Sequence, residues 1–166
     1  MEVQTPQSDG NKSPTAELSV PKVHLISLGC ARNRVDSEVM LGTMLGEGDW
    51  QNTNDPAEAD TIIVNTCGFI GPAKQESIDT ILEAAEFKND NPDMKLVVTG
   101  CLTQRYKAQL VKGLPEVDLF IGTDQFTEIG KLLKDQTPKG SVFAKRTHYL
   151  VTANATGRLF VFCENF

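Results

Sequence analysis

Thr61-Ile62-Ile63-Val64-Asn65-Thr66-Cys67 is the stretch on which the fold turns. Its β-branched run, Thr61 to Asn65, does not alternate apolar with polar. That is the pattern of a strand covered on both faces, as in parallel sheets. Two other segments share its form: Val23-His24-Leu25-Ile26-Ser27-Leu28-Gly29-Cys30 and Leu96-Val97-Val98-Thr99-Gly100-Cys101. Each is a short apolar run that ends on a cysteine. In a parallel α/β sheet the carboxyl ends of the strands lie along one edge, where ligands bind. Three thiols at one such edge suit a metal ion or an iron–sulfur cluster.

Working outward, strand and helix signals alternate. Val23–Leu28 reads as the first strand. A helix follows from near Asn33, with Asn33 as its cap, Asp36 as a capping-box acid, and Val35, Val39, Leu41, Met44 and Leu45 as its apolar face. Gly46 and Gly48 end it, and Trp50–Thr53 reads as a short edge strand. Pro72 suits the first turn of the next helix, in which Ile78, Ile81, Leu82 and Ala85 recur at helical spacing. After the turn at Asn89–Asp93 come a strand at Lys95–Thr99, a helix capped by Thr103 and running to about Lys112, a strand at Val117–Ile121, and a helical face on Phe126, Ile129, Leu132 and Leu133. This order predicts a three-layer α/β sandwich: a parallel sheet of four or five strands with helices on both faces.

Residues 1–21, rich in Ser, Pro, Thr, Gln and Asn, read as a disordered lead-in; residues 22–135 read as the domain, and residues 136–166 as a linker and divergent tail. Within that tail, Leu159-Phe160-Val161-Phe162 reads as a last strand or the interrupted start of another unit.

Composition narrows the class. With 40% hydrophobic and 23% charged residues in 166, the chain can form one real core. A net charge of −6 and a pI near 4.9 argue against direct nucleic-acid binding, because an acidic surface gains nothing from counterion release. No apolar stretch approaches the roughly 20 residues a membrane-spanning helix needs, and the start of the chain lacks signal-peptide organisation. The expected location is the cytoplasm, where thiols stay reduced and serve more often as ligands or catalysts than as disulfides.

Cys30, Cys67 and Cys101 stand 37 and 34 positions apart, so none belongs to a CxxC motif. Their signal is positional: each leaves a strand and precedes a helix, whose free N–H groups favour thiolates, with Gly29, Gly68 and Gly100 alongside. A structural zinc site would want a fourth protein ligand. Neither His24, inside a strand, nor His148 is placed to supply it. Against the cluster stands the plain alternative that each cysteine is a small buried hydrophobe.

At these residues the chain resembles the methylthiotransferases. Ser27-Leu28-Gly29-Cys30-Ala31-Arg32-Asn33-Arg34-Val35-Asp36-Ser37-Glu38 is similar to their first motif. Val64-Asn65-Thr66-Cys67-Gly68-Phe69-Ile70, with Ala73-Lys74-Gln75-Glu76-Ser77, is similar to the second, and Val98-Thr99-Gly100-Cys101-Leu102 to the third. The likeness runs from Lys22 to Leu150 and includes Arg146-Thr147-His148-Tyr149-Leu150. The Ser-Leu-Gly-Cys and Cys-Gly-Phe-Ile forms resemble the branch that modifies an aspartate of a small-subunit ribosomal protein.

The resemblance implies that Cys30, Cys67 and Cys101 hold one 4Fe–4S cluster with an open iron that carries sulfur from a donor. In the full-length family enzyme it implies a radical-SAM barrel with a second 4Fe–4S cluster and S-adenosylmethionine, and a small C-terminal domain that helps to recognise substrate. The chain departs from the family after Leu150: Cys163 stands alone, and no CxxxCxxC motif occurs. This points to a fragment or a truncated product, unable to complete the reaction by itself.

Asn33 and Asn65 are candidates to bond the cluster or its loops, although Asn33 reads better as a helix cap. Ser37 and Glu38 read as ordinary first-turn residues. Gln75, Glu76 and Ser77 read as a solvated face, with a family hint of an interface. Cys163 reads as an incidental thiol, and Lys145-Arg146 as part of a solvated linker. Three rival readings stay open: a domain of a transfer-RNA adenosine methylthiotransferase, a metal-free thiol-switch or interaction domain, and an inert truncated product.

Overall fold

A computed structural model describes residues 20–46, 48–134, 138–143, 147–153 and 159–165. The expectation of a disordered stretch at residues 1–21 falls almost wholly outside them. The elements in chain order are β1 (Lys22–Ser27), α1 (Ala31–Gly46), β2 (Gln51–Asn52), β3 (Thr61–Thr66), α2 (Gly71–Glu86), β4 (Lys95–Gly100), α3 (Cys101–Gly113), β5 (Leu119–Ile121), α4 (Ile129–Lys134), β6 (Ser141–Phe143), β7 (Thr147–Ala153) and β8 (Leu159–Asn165).

β1 to β6 form one sheet in the order β2-β1-β3-β4-β5-β6, every pair parallel. The predicted three-layer sandwich is therefore present. The sixth strand, β6, comes from the stretch read as a linker. β7 and β8 form a separate antiparallel hairpin that includes Leu159–Phe162.

Strand periodicity divides the core. Ile62, Val64, Leu96, Val98 and Phe120 point to one face and pack with Ile81 and Ala84 of α2 and Leu102 and Leu110 of α3. Their neighbours Ile63, Val97, Leu119 and Ile121 point to the other, against Met40 and Met44 of α1 and Ile129 and Leu133 of α4. Because successive side chains of a strand face opposite ways, a strand covered on both sides carries apolar residues at consecutive positions, as Ile62, Ile63 and Val64 do in β3. That is why β3 reads as an unbroken run, and all six of its residues are buried.

The chain leaves β1 for the edge strand β2, then returns to place β3 on the other side of β1. α1 and α2 consequently cover opposite faces of the sheet.

Several local expectations are corrected. α1 starts at Ala31, so Asn33 lies inside the first turn and does not cap it. Asp36 is also too far along to be a capping-box acid. Its carboxylate faces Arg32 at 4.0 Å. Val35 and Val39 are exposed, whereas the expected Met44 is buried with Leu41 and Leu45 packed beside the core, and α1 also buries Asn33, Ser37 and Met40. Thr103 is no cap either: α3 opens at Cys101, and the Thr103 hydroxyl donates to Val98 O at 3.4 Å. Phe126 begins a short 3₁₀ turn that leads into α4. Among the described residues, no helix is long and apolar enough to cross a membrane.

Candidate functional site

The pairing register lines up the three cysteine loops. Ser27, Asn65 and Thr99 stand side by side on β1, β3 and β4, and Thr66 pairs with Gly100. Cys67 and Cys101 therefore leave neighbouring strands at the same level, and strands of one sheet lie roughly 4.8 Å apart. β1 runs on beside β3 for one more residue, with Leu28 N donating to Asn65 O at 2.9 Å. Gly29 then turns at φ +88°. A Cβ on Gly29 would lie 2.6 Å from Cys67 Cβ and 2.9 Å from Cys67 Sγ. Only glycine lets the Cys30 loop lie against the second thiol.

Gly100 plays the same part for the third loop. It turns at φ +100°, and a Cβ there would fall 2.4 Å from Thr66 O and 2.5 Å from Asn65 Oδ1. Cys101 follows at once as the first residue of α3.

The thiols have different surroundings. Cys30 is exposed, whereas Cys67 and Cys101 are half-buried. Backbone N–H groups of Asn33 and Arg32, at the start of α1, hold the Cys30 thiol below its ordinary pKa. Burial pushes the Cys101 thiol up, and negative charge on Cys67 and then on Cys30 pushes it further. A recess of about 350 Å³ beside Cys30 is lined by Ser27, Gly29, Ala31 and Arg34. Phe69, 81% exposed, and Ile70 follow Cys67 at the same edge.

Buried amides and hydroxyls tie the loops together. Asn33 Nδ2 donates to Leu28 O at 2.9 Å and to Thr66 O at 3.0 Å. Asn65 Nδ2 donates to Asn33 O and to Ser37 Oγ, both at 2.9 Å, and the Ser37 hydroxyl donates to Ser27 Oγ at 2.9 Å. Ser77 Oγ accepts from Cys67 N at 3.1 Å and donates to Cys67 O at 3.0 Å. Thr66 Oγ1 donates to Thr99 O, and Arg105 Nη1 to Gly68 O at 3.1 Å.

Ser77 corrects the solvated-face reading, since it is fully buried. A signal was available: Ser77, Ile81 and Ala84 recur at i, i+4 and i+7 and form the buried face of α2. Gln75 donates to Asp79 on the exposed side. His24 lies early in β1, where its Nδ1 is 3.0 Å from Thr53 O. It stands apart from the thiols. The side chains of His148 and Cys163, and the pair Lys145-Arg146, lie outside what the structure describes.

Among the described residues, no three His, Cys, Asp or Glu side chains converge on one point suited to a single metal ion. A polynuclear cluster makes a different demand, because each thiolate binds its own iron and the sulfurs ring the group. The donor set is all thiolate, soft, and set on three loops around a common edge. It fits an iron–sulfur cluster better than it fits a lone ion.

A family model described as Uncharacterized protein family UPF0004 matches residues 22–122. The chain belongs to the UPF0004 family. That span includes all three cysteine loops. The chain is similar to proteins named ribosomal protein uS12 methylthiotransferase RimO. It is 50% identical over 131 residues to that of Bdellovibrio bacteriovorus, covering 78% of the chain and 28% of the relative. It is 54% identical over 114 residues to that of Acetivibrio thermocellus, covering 69% and 25%. It is 43% identical over 165 aligned residues to that of Myxococcus xanthus, covering 89% and 34%. The chain spans about a quarter to a third of the length of these curated relatives.

Proposed function

We propose that this UPF0004 domain is the auxiliary-cluster domain of a methylthiotransferase that adds a methylthio group to an aspartate of a small-subunit ribosomal protein. The observation that supports the reading is that Cys30, Cys67 and Cys101 follow the carboxyl ends of the neighbouring strands β1, β3 and β4, with Gly29 packed against Cys67. Cys30, Cys67 and Cys101 would hold the group. Bound there, a 4Fe–4S cluster supplies an iron that no protein side chain occupies, a place from which sulfur can be handed on.

The chain's own residues do the rest. N–H groups at the start of α1 favour anionic sulfur at Cys30. The half-buried Cys67 and Cys101 limit water on the inner side, and the exposed Cys30 keeps the outer side open. The relatives' names point to uS12 as the ribosomal substrate. A sulfur donor, S-adenosylmethionine and a second 4Fe–4S cluster belong to the full-length enzyme, which works in the cytoplasm. This domain, residues 22–135 with β6 added to its sheet, does not itself bind nucleic acid or membrane.

Anaerobic reconstitution with iron and sulfide tests the cluster. The expected result is roughly four irons and four sulfides per chain, with visible charge-transfer absorption that is lost in Cys30→Ala, Cys67→Ala or Cys101→Ala. A colourless, iron-free chain overturns the reading. The substrate is tested in a full-length enzyme carrying this domain, offered uS12 and transfer RNA in parallel. Methylthiolation of transfer RNA alone would reject the ribosomal assignment.

A further inference from the structure

We infer that Asn33, Asn65 and Ser77 are positioning residues, a buried clasp that sets the spacing of the three thiols before any cluster arrives. The inference rests on the cluster reading above, but it is argued from the chain's own atoms.

Asn33 and Asn65 are reciprocal. The side chain of Asn65, from the second cysteine loop, donates to the backbone of Asn33 and to Ser37 on α1. The side chain of Asn33, three residues after Cys30, donates to Thr66 O, one residue before Cys67, and to Leu28 O, two before Cys30. Asn65 therefore spends both N–H bonds tying the second loop to the first, and Asn33 spends one on the second loop and one on closing its own. The remaining oxygen of Asn65 lies against Gly100, so the same side chain also limits how the third loop approaches.

Ser77 acts on a ligand residue directly. Its hydroxyl bonds both the N–H and the C=O of Cys67, holding the two peptides that flank the Cys67 Cα and with them the direction of the Cα–Cβ bond. Asn33, Asn65 and Ser77 are 2%, 2% and 0% exposed. Buried polar groups are costly unless satisfied, and these are satisfied by backbone groups of the cysteine loops and by Ser37. A hydrophobic side chain could fill the same space, but it would not specify the arrangement. Outer residues of this kind typically change metal retention by about 10–100-fold when removed.

The test uses the 166-residue chain with Asn65→Asp and Ser77→Ala. Asn65→Asp keeps the shape but replaces both donors with an oxygen facing Asn33 O. Ser77→Ala removes one hydroxyl and keeps the fold if the aspartate does not. Circular dichroism and thermal melting of the cluster-free chains select variants that remain folded. In these, diamide-driven Cys30–Cys67 pairing, followed by mass spectrometry, should slow several-fold. After anaerobic reconstitution, iron release to a chelator should quicken about tenfold or more, and the reduced-state paramagnetic resonance signal should change shape. A purely structural role would lower the melting temperature and leave the signal unchanged. Folded variants with wild-type pairing, release and signal overturn the inference. If the wild-type chain takes up no iron, the cluster reading fails, and the pairing rates still decide whether the clasp holds the thiols.

Discussion

Cys30 and Cys101 end the same kind of strand, yet their thiols ionise in opposite directions. Exposure and the amides of α1 favour the Cys30 thiolate, while burial and neighbouring negative sulfur disfavour that of Cys101. In the cluster-free chain, iodoacetamide should label Cys30 before Cys101, as read by peptide mass spectrometry over time. Lowering the pH should slow labelling at Cys30, because a depressed pKa still leaves fewer thiolates as protons bind. Uniform labelling rates would contradict the geometry of the site. Backbone strain sets a second expectation. Gly100→Ala forces a side chain into a left-handed conformation and onto Thr66 O, which should cost about 1–3 kcal/mol or more in a urea unfolding series. The cysteines and glycines were legible as a sequence pattern. The bond from Asn33 to Thr66 was not, because Thr66 reaches it from the neighbouring strand, 33 positions along the chain.

At the scale of single elements, α1 shows where helical periodicity misleads. Val35 and Val39 lie on its outer side, and the buried face pairs polar Asn33 and Ser37 with Met40 and Met44. The hydroxyl and amide belong inside because they bond the cysteine loops. Apolar spacing alone therefore marked the wrong face at the start of the helix. Met40→Ala should cost about 2–5 kcal/mol, whereas Val39→Thr should stay within about 0.5 kcal/mol. Denaturant midpoints of the two variants check the assignment, and equal losses would refute it. In α2 the apolar stripe served better: Ile81 is fully buried, although Leu82 is 45% exposed. The sheet strands were easiest to read, since a strand covered on both faces needs no phase to be chosen.

At the scale of the whole molecule, the doubly wound order makes the site possible. β1, β3 and β4 become neighbours only because the chain steps out to β2 and back. Three loops far apart in sequence then share one edge, so a group gripping all three binds only the folded state. Loading the cluster should raise the anaerobic melting temperature by several degrees. The rise should vanish in Cys67→Ala, and an unchanged melting curve on loading would count against a three-loop grip. The alternation of apolar strands and helices determined by itself that the protein would build a parallel α/β sandwich, since hydrophobic period is a local property of the chain. The same local reading marked Cys30, Cys67 and Cys101 as strand-end thiols. Which strands lie adjacent, how closely Gly29 meets Cys67, and that Asn33, Asn65 and Ser77 face inward were decided by tertiary structure alone. Strand order and side-chain hydrogen bonds depend on packing between segments more than thirty residues apart for the two asparagines, and no local pattern encodes such distances.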